Sequence, residues 1–243
     1  SEYEAHIYEK HCSAGVCAEL QTSPCRNACP ANVFIPGYMS LLAAGRTEDA
    51  YRLIRQDNPF PAVCGRVCTI RVRPLPARQV MSLWYLQREA FQSEIWRCGI
   101  EYNVPLVEPR PATGKRISVI GAGPSGLTCA YYLANMGHEV HVYESESVAG
   151  GVLYWGIPEY RLPKAVLQKE IHAIERSGVQ IHLNTRIGSD ITFEDMKKQS
   201  DAVYIASGTQ VSRLLDVPGE DLKGVESGLG FLKRIGLKKD MSV

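Results

Sequence analysis

The chain has 243 residues, of which 27 are Lys or Arg and 26 are Asp or Glu, so its formal net charge is +1. This balance gives no electrostatic reason to expect binding to nucleic acid or to anionic lipid. Hydrophobic residues make up 45% of the chain and charged residues 22%, which excludes wholesale disorder. No apolar run approaches the ~20 residues of a membrane-spanning helix, so we expect no membrane insertion. Because the chain begins with Ser and ends at Val243, we expect it to be part of a longer polypeptide.

Residues 1–108 are predicted to form an α-helical, cysteine-rich domain. An apolar segment at 35–42 predicts a first helix, and Thr47 is expected to cap a second one. The second helix should end before Pro59, which cannot continue it. A third helix is predicted at about 80–96. A proline-rich stretch near residue 108 is expected to act as a linker.

Residues 109–243 are predicted to form an α/β domain, because strand and helix signals alternate along them. The helices are expected at 124–136, 163–177 and 193–199. The strands are expected at 116–120, 139–143, 179–183 and 202–206. Strands separated by helices favour a parallel sheet that is covered on both faces.

A glycine-rich sequence follows the first of these strands and opens the first of these helices. It reads Gly121, Ala122, Gly123, Pro124, Ser125 and Gly126. In this G-x-G-x-x-G pattern, Gly121 allows a tight turn, Gly123 lets the backbone approach a pyrophosphate, and Gly126 permits close packing of helix on strand. The N-terminus of the helix then offers free N–H groups to the anion.

Glu144 ends the next strand, where a carboxylate can accept hydrogen bonds from both hydroxyls of a ribose. With the strand, the helix and the acid in place, the pattern predicts dinucleotide binding. A carboxylate at this position disfavours a 2′-phosphate, because the two anions repel each other. The residues are therefore compatible with either NAD or FAD as the bound dinucleotide.

Six of the eight cysteines lie within the first 68 residues. In a chain of this length with a nucleotide-binding loop, clustered thiols suit a reducing, cytoplasmic setting, where they more often hold metal than form disulfides. The pairs Cys25–Cys29 and Cys64–Cys68 each place two thiolates about one helical turn apart on one face. Iron–sulfur ligation is the leading interpretation, and zinc or buried inert thiols are the alternatives. Cys98 and Cys129 are expected to be core or surface thiols.

The sequence AGGVLYWGIPEYRLPK at residues 149–164 closely resembles a motif of the glutamate synthase small-subunit family, which includes the N-terminal part of dihydropyrimidine dehydrogenase. Residues 24–68 look like the helical iron–sulfur segment of that family. Residues 201–209 resemble its strand that returns to the flavin. The likeness covers roughly residues 20–68 and 110–235.

This resemblance implies FAD on the glycine loop, with Glu144 at the adenosine ribose. Arg161 would face the phosphates, a role that a guanidinium can fill through paired hydrogen bonds; an exposed Arg at the start of a helix is the alternative. Further contacts with the cofactor would come from Gly150, Gly151, Val152, Ile187, Gly208 and Thr209. NAD(P)H would bind only in the full-length protein, because the second glycine loop of the family lies beyond these residues.

The implied function is electron transfer from NAD(P)H through FAD to [4Fe-4S] clusters and an electron-accepting partner subunit or domain. No catalytic acid, base or nucleophile is indicated. The alternatives are a non-catalytic scaffold that docks partner subunits without a cluster, and a zinc-holding dinucleotide-binding module.

Residues 1–20 resemble the tail of a flavin-bearing NADH dehydrogenase subunit. They contain Cys12 and Cys17, whose C-x-x-x-x-C spacing is wider than the first cysteine pair of the family. Three roles stay open for this pair: ligation of a cluster, a redox-active disulfide, or a structural role.

The sequence departs from the family directly after Cys68. The family reads Thr-His-Pro-Cys there, whereas this chain reads Thr-Ile-Arg-Val at residues 69–72, so expected ligands are absent. If residues 69–72 are encoded by ACC-ATC-CGT-GTC, one inserted cytosine gives codons for Thr-His-Pro-Cys. We hypothesise a compensated frame error in the gene sequence across about residues 70–84.

Overall fold

The computed structural model describes residues 24–68, 110–213 and 215–237. The chain divides into two compact units, residues 1–107 and 108–243, and each unit is considered by itself. Across these described residues, no helix has both the length and the apolar character needed to cross a membrane. The helix predicted at 80–96 lies outside the described residues.

The described part of the first unit consists of four helices: α1 (Pro24–Ala28), α2 (Ile35–Ala43), α3 (Thr47–Asp57) and α4 (Pro61–Val67). The two predicted helices correspond to α2 and α3. Thr47 is the first residue of α3, and Arg46 occupies the capping position, so the expected cap was wrong by one residue. The segments α1 and α4 were expected only from the spacing of the cysteine pairs 25–29 and 64–68, because five and seven residues carry too little periodicity to be recognised on their own.

The core of this unit forms where α2 packs against α3. Its buried side chains are Val33, Tyr38, Leu41, Ala50, Tyr51, Leu53 and Ile54. Arg55 is also fully buried; its guanidinium donates to the carbonyl oxygen of Pro59 and lies 5.9 Å above the Tyr51 ring. The Asn58 side chain accepts the Phe60 N–H at 2.9 Å. These bonds hold the turn that leads into α4.

The second unit is built on a parallel sheet of β1 (Arg116–Ile120), β2 (Glu139–Tyr143), β3 (Val179–His182) and β4 (Ala202–Ile205), in the order β3-β2-β1-β4. The predicted α/β fold with a parallel sheet is confirmed. Ile120 pairs with Tyr143 on one side and with Ile205 on the other. The carboxyl ends of β1, β2 and β4 therefore lie side by side.

The helices of this unit are α5 (Pro124–Asn135), α6 (Val152–Trp155), α7 (Lys164–Glu175), α8 (Phe193–Gln199) and α9 (Gly228–Gly236). The helix α5 packs on β1 and β2, and α7 packs on α5 and β3. Neither α6 nor α9 was predicted. The expected cover on both faces is incomplete at β4 within the described part, where Ile205 is 62% exposed.

Candidate functional site

A cleft of about 820 Å³ lies at the carboxyl ends of the strands in the second unit. Ligands of α/β sheets bind at this edge, and the volume is that of a small-molecule site. The predicted site residues that line the cleft are Gly121, Gly123, Pro124, Ser125, Glu144, Gly151, Val152, Ile187, Gly208 and Thr209. Ala122, Gly126 and Gly150 support its wall from behind.

The three glycines of the loop meet three different constraints. Gly121 has φ of +103°, and a Cβ there would lie 2.9 Å from the carbonyl carbon of Ala206. A Cβ on Gly126 would overlap the carbonyl oxygen of Gly121 and lie 3.1 Å from its carbonyl carbon. A Cβ on Gly123 would meet no atom within 4 Å. Two glycines are thus required by packing, whereas the third faces open space in the cleft.

The amino terminus of α5 opens into this space. Gly123 is the capping residue, Pro124 starts the helix, and no side chain caps its first turn. The first N–H groups of a helix have no partner within the helix, and they carry a partial positive charge. Gly123 and the start of α5 therefore form a cradle that suits a phosphate group.

Glu144 closes the opposite side of the cradle and is only 8% exposed. Its Oε2 accepts the Ala122 N–H at 2.8 Å, and its Oε1 accepts the Glu146 N–H at 3.0 Å. The carboxylate therefore fixes the glycine loop from the end of β2. The Ser145 hydroxyl also donates to Oε1, at 3.3 Å. A carboxylate has about four acceptor positions, so about one position remains for a hydroxyl group from the cleft.

A second glycine pair brings the segment after β2 against the glycine loop. Gly150 has φ of +119° and donates its N–H to the Ala122 carbonyl at 2.8 Å. A Cβ on Gly151 would lie 2.9 Å from the Cα of Gly123. Only glycines allow this approach, which places Val152 at the cleft.

Lys164 anchors the far end of the same segment. Its ammonium donates to the carbonyl oxygen of Leu153 at 3.4 Å and to that of Ile157. Burial lowers the pKa of Lys164, and the nearby Glu159 opposes that shift. The bonds cover carbonyl groups at the end of α6, which keeps this helix beside the cleft.

The structure does not bring Arg161 to the cleft. Its side chain is exposed and is not among the cleft residues. Its N–H donates to the Pro158 carbonyl at 3.0 Å, within a turn that ends before α7 begins at Lys164. The exposed position of Arg161 agrees with the alternative of an exposed Arg at the start of a helix.

Several residues that line the cleft were not predicted from the sequence: Tyr143, Glu146, Trp155, Arg186, Gln210 and Lys233. Trp155 lies inside the motif at residues 149–164, and Arg186 directly precedes Ile187. Both are therefore close in sequence to residues that were predicted to contact the cofactor. No pattern in the sequence singled out Lys233.

The cysteines of the first unit lie at the ends of short helices. Cys29 directly follows α1, and Cys68 is the C-terminal capping residue of α4. The placement of both thiols of each pair on one helical face stays a prediction. The Cys68 N–H still donates to the Cys64 carbonyl at 2.9 Å. None of Cys29, Cys64 and Cys68 forms a disulfide within the described residues; Cys64 and Cys68 are exposed, and Cys29 is partly buried. The Cys64 thiol donates to the side-chain oxygen of Asn58 at 3.7 Å.

No metal centre is assembled within the part of the chain that the structure describes: no group of three or more His, Cys, Asp or Glu residues there could hold a metal ion. The backbone of Cys25 is described within α1, whereas Cys12 and Cys17 lie outside the described residues. The donor set of closely spaced thiols fits an iron–sulfur cluster chemically. Ligation by these cysteines stays a prediction.

Two family models match the chain. Residues 2–73 match dihydropyrimidine dehydrogenase domain II with its 4Fe-4S cluster, and residues 119–184 match a NAD(P)-binding Rossmann-like domain. The first match begins at residue 2, so it includes Cys12 and Cys17. The similarity to this family thus extends further toward the amino terminus than expected.

Three curated relatives are similar to most of this chain. The NADPH-Fe(3+) oxidoreductase subunit beta of Geobacter sulfurreducens is 39% identical over 87% of the chain and 31% of the relative. The NADP(+)-dependent formate dehydrogenase subunit beta of Moorella thermoacetica is 37% identical over 90% of the chain and 34% of the relative. The glutamate synthase [NADPH] small chain of Mycobacterium tuberculosis is 33% identical over 89% of the chain and 44% of the relative.

The chain therefore spans between about a third and under a half of the length of these relatives. The family models and the relatives agree with the order of the two units in the chain. The resemblance to the glutamate synthase small-subunit family is confirmed: the chain carries a segment of the dihydropyrimidine dehydrogenase domain II type, followed by a Rossmann-like dinucleotide-binding domain.

Proposed function

We propose that this chain is the flavin- and cluster-binding part of an NAD(P)H-dependent oxidoreductase that passes electrons to a partner subunit. The observation that carries the proposal is the open cradle at Gly123, which faces the amino terminus of α5 and is closed by the Glu144 carboxylate. Each component suits one part of a dinucleotide.

Different residues of the cleft would bind different parts of the dinucleotide. The N–H groups at the start of α5 would bind the pyrophosphate, and Glu144 would accept a ribose hydroxyl at its remaining acceptor position. Ile187, Gly208 and Thr209 would complete the pocket from the loops after β3 and β4. The negative charge of Glu144 favours FAD or NAD over a nucleotide with a 2′-phosphate. Bound FAD would supply conversion between two-electron and one-electron transfer.

The cysteines of the first unit are proposed as ligands of [4Fe-4S] chemistry. Thiolate sulfur is the donor that iron–sulfur clusters use. Cys64 and Cys68 are exposed at the end of α4, and an incoming iron ion can reach them without unfolding the α2–α3 core. Cys25 and Cys29 at α1 offer a second pair with the same spacing, and Cys12 and Cys17 are the remaining candidates.

The names of the relatives support the wider assignment. Two are called beta subunits, and all three carry NADPH or NADP(+) in their names. We therefore propose that the complete protein takes electrons from NADPH and delivers them to a partner subunit, in the cytoplasm.

The test of the flavin site is a titration of the purified chain with FAD, followed by quenching of flavin fluorescence. We expect binding of one FAD per chain, and competition by NAD⁺ but not by NADP⁺. In Glu144→Gln, the dissociation constant should rise on the order of tenfold to a hundredfold, because hydrogen bonds to a charged group contribute about 1.5–3 kcal/mol.

The matched control is Glu194→Gln, which removes an exposed carboxylate paired with Lys197 on α8. This variant should bind FAD like the parent chain. Absence of FAD binding by the parent chain, or equal affinities for Glu144→Gln and Glu194→Gln, would contradict the proposal. A colourless protein after anaerobic purification and iron reconstitution would favour the scaffold alternative.

A further inference from the structure

We propose that Lys233 is a positioning residue that ties the loops on either side of the cleft together and slows the release of the bound flavin nucleotide. The inference rests on the proposed function, because it takes the cleft to be the flavin site. It concerns α9, which the glycine-loop pattern does not include.

The ammonium of Lys233 bridges three separate segments. It lies 3.0 Å from the Glu146 carboxylate, which follows β2, and donates to the Gln210 side-chain oxygen at 3.1 Å, which follows β4. It also lies 5.9 Å from the centre of the Trp155 ring on α6. All four residues line the cleft.

Two of these contacts reach the loops that are proposed to hold the nucleotide. Glu146 donates its N–H to Glu144, the expected ribose ligand, at 3.0 Å. Gln210 donates from its amide to the Ser207 carbonyl at 2.8 Å, directly before Gly208 and Thr209. Lys233 therefore restrains the cofactor-facing backbone on both sides without belonging to either loop.

The position of α9 depends strongly on this network. No residue of α9 is buried, so the helix lacks an apolar anchor in the sheet. Its backbone comes close to α6 at Gly236, where a Cβ would lie 2.6 Å from the Cα of Trp155. With so little apolar burial, polar contacts decide how long α9 stays over the cleft.

The Lys233–Glu146 pair is well placed to hold this position. The side chain of Lys233 is 32% exposed and that of Glu146 is 14% exposed, so water screens the pair less than a fully exposed one. Loss of the pair should let α9 and the two loops move apart. We expect the rate constant of FAD release to rise about two- to fivefold, the upper part of the range for an ion pair that water can reach.

The experiment measures the release of FAD from the loaded chain after dilution, by recovery of flavin fluorescence. Lys233→Met keeps most of the aliphatic stem and removes the charge. The control is Arg234→Met on the same helix, which breaks the 2.9 Å pair with Glu226 instead. Lys233→Arg, which can still reach Glu146, should restore slow release.

A second measurement distinguishes loss of the positioning contacts of Lys233 from a general loss of structure. Raising the salt concentration should speed release from the parent chain and leave Lys233→Met nearly unchanged, since its ion pair is already absent. The thermal midpoints of the FAD-free parent chain and of FAD-free Lys233→Met should differ by no more than about 4 °C, because a single ion pair contributes little to global stability.

The outcomes distinguish the two proposals. If the parent chain binds no FAD, the proposed function fails. If the parent chain binds FAD but Lys233→Met releases it at the parent rate, or if Arg234→Met accelerates release equally, the positioning role of Lys233 is wrong and the flavin site stands.

Discussion

Replacement of two glycines in the same loop should separate ligand binding from folding. Gly123 has φ of −79°, which alanine adopts readily, and a Cβ there meets no atom within 4 Å. We therefore expect Gly123→Ala to change the free energy of unfolding by less than about 1 kcal/mol. The added methyl group would occupy the space proposed for the pyrophosphate.

Gly126→Ala places the same methyl group against packed backbone. Its Cβ would overlap the Gly121 carbonyl oxygen and lie 3.2 Å from Val119 Cγ1, so helix and strand must separate by on the order of 1 Å. Overpacking of this kind costs about 1–3 kcal/mol. At roughly 2–4 °C per kcal/mol for a chain of this size, the midpoint should fall by several degrees.

The assay compares thermal unfolding of the FAD-free variants with their affinity for FAD. Gly123→Ala should keep the parent midpoint while its dissociation constant rises at least about tenfold, equivalent to ~1.4 kcal/mol. Gly126→Ala should unfold at a lower temperature. If Gly123→Ala binds FAD as tightly as the parent, or unfolds as early as Gly126→Ala, the cradle is not where the nucleotide binds.

Three further predictions concern the cysteines, a histidine pair and the segment after α4. Cys64→Ser should lower the iron and acid-labile sulfide content after anaerobic reconstitution, whereas Cys129→Ser, in the second unit, should not; equal contents would remove Cys64 from the ligand set. Burial and the His141 ring lower the pKa of His182 below its usual value of 6.5. The unfolded chain then binds this proton more readily, so the free energy of unfolding should fall as the pH drops from about 6.5 through the lowered pKa. The thermal midpoint should therefore be lower at pH 5 than at pH 7.5, with a smaller difference in His182→Gln; an unchanged difference would contradict this cause. Resequencing of the source DNA should reveal compensating insertions or deletions across residues 70–84, and a clean read encoding the present residues would refute the frame-error hypothesis.

Local patterns in the sequence were sufficient for the elements that carry the glycine loop. The strand at β1, the three glycines and the start of α5 are consecutive, so their spacing alone determines a turn followed by a helix terminus. Glu144 could be predicted for the same reason, because it ends the next strand of a parallel sheet. The structure places Gly121, Gly123, the start of α5 and Glu144 at one cleft, whereas Gly126 packs against the Gly121 carbonyl.

Arg161 shows the limit of transferring a role by resemblance. A guanidinium suits phosphate, but its chemistry does not state where the side chain points. The turn at 158–162 closes with N–H bonds to Pro158 before α7 begins, and this local geometry leaves Arg161 exposed outside the cleft.

By itself, the sequence determined the two-part organisation, the parallel sheet and the nucleotide loop, because each depends on contacts between near neighbours or on a short repeated period. Only the tertiary structure decided that Lys233 reaches Glu146, Gln210 and Trp155 across the cleft. Such contacts join segments far apart in the chain, and no local spacing encodes which distant loops will meet.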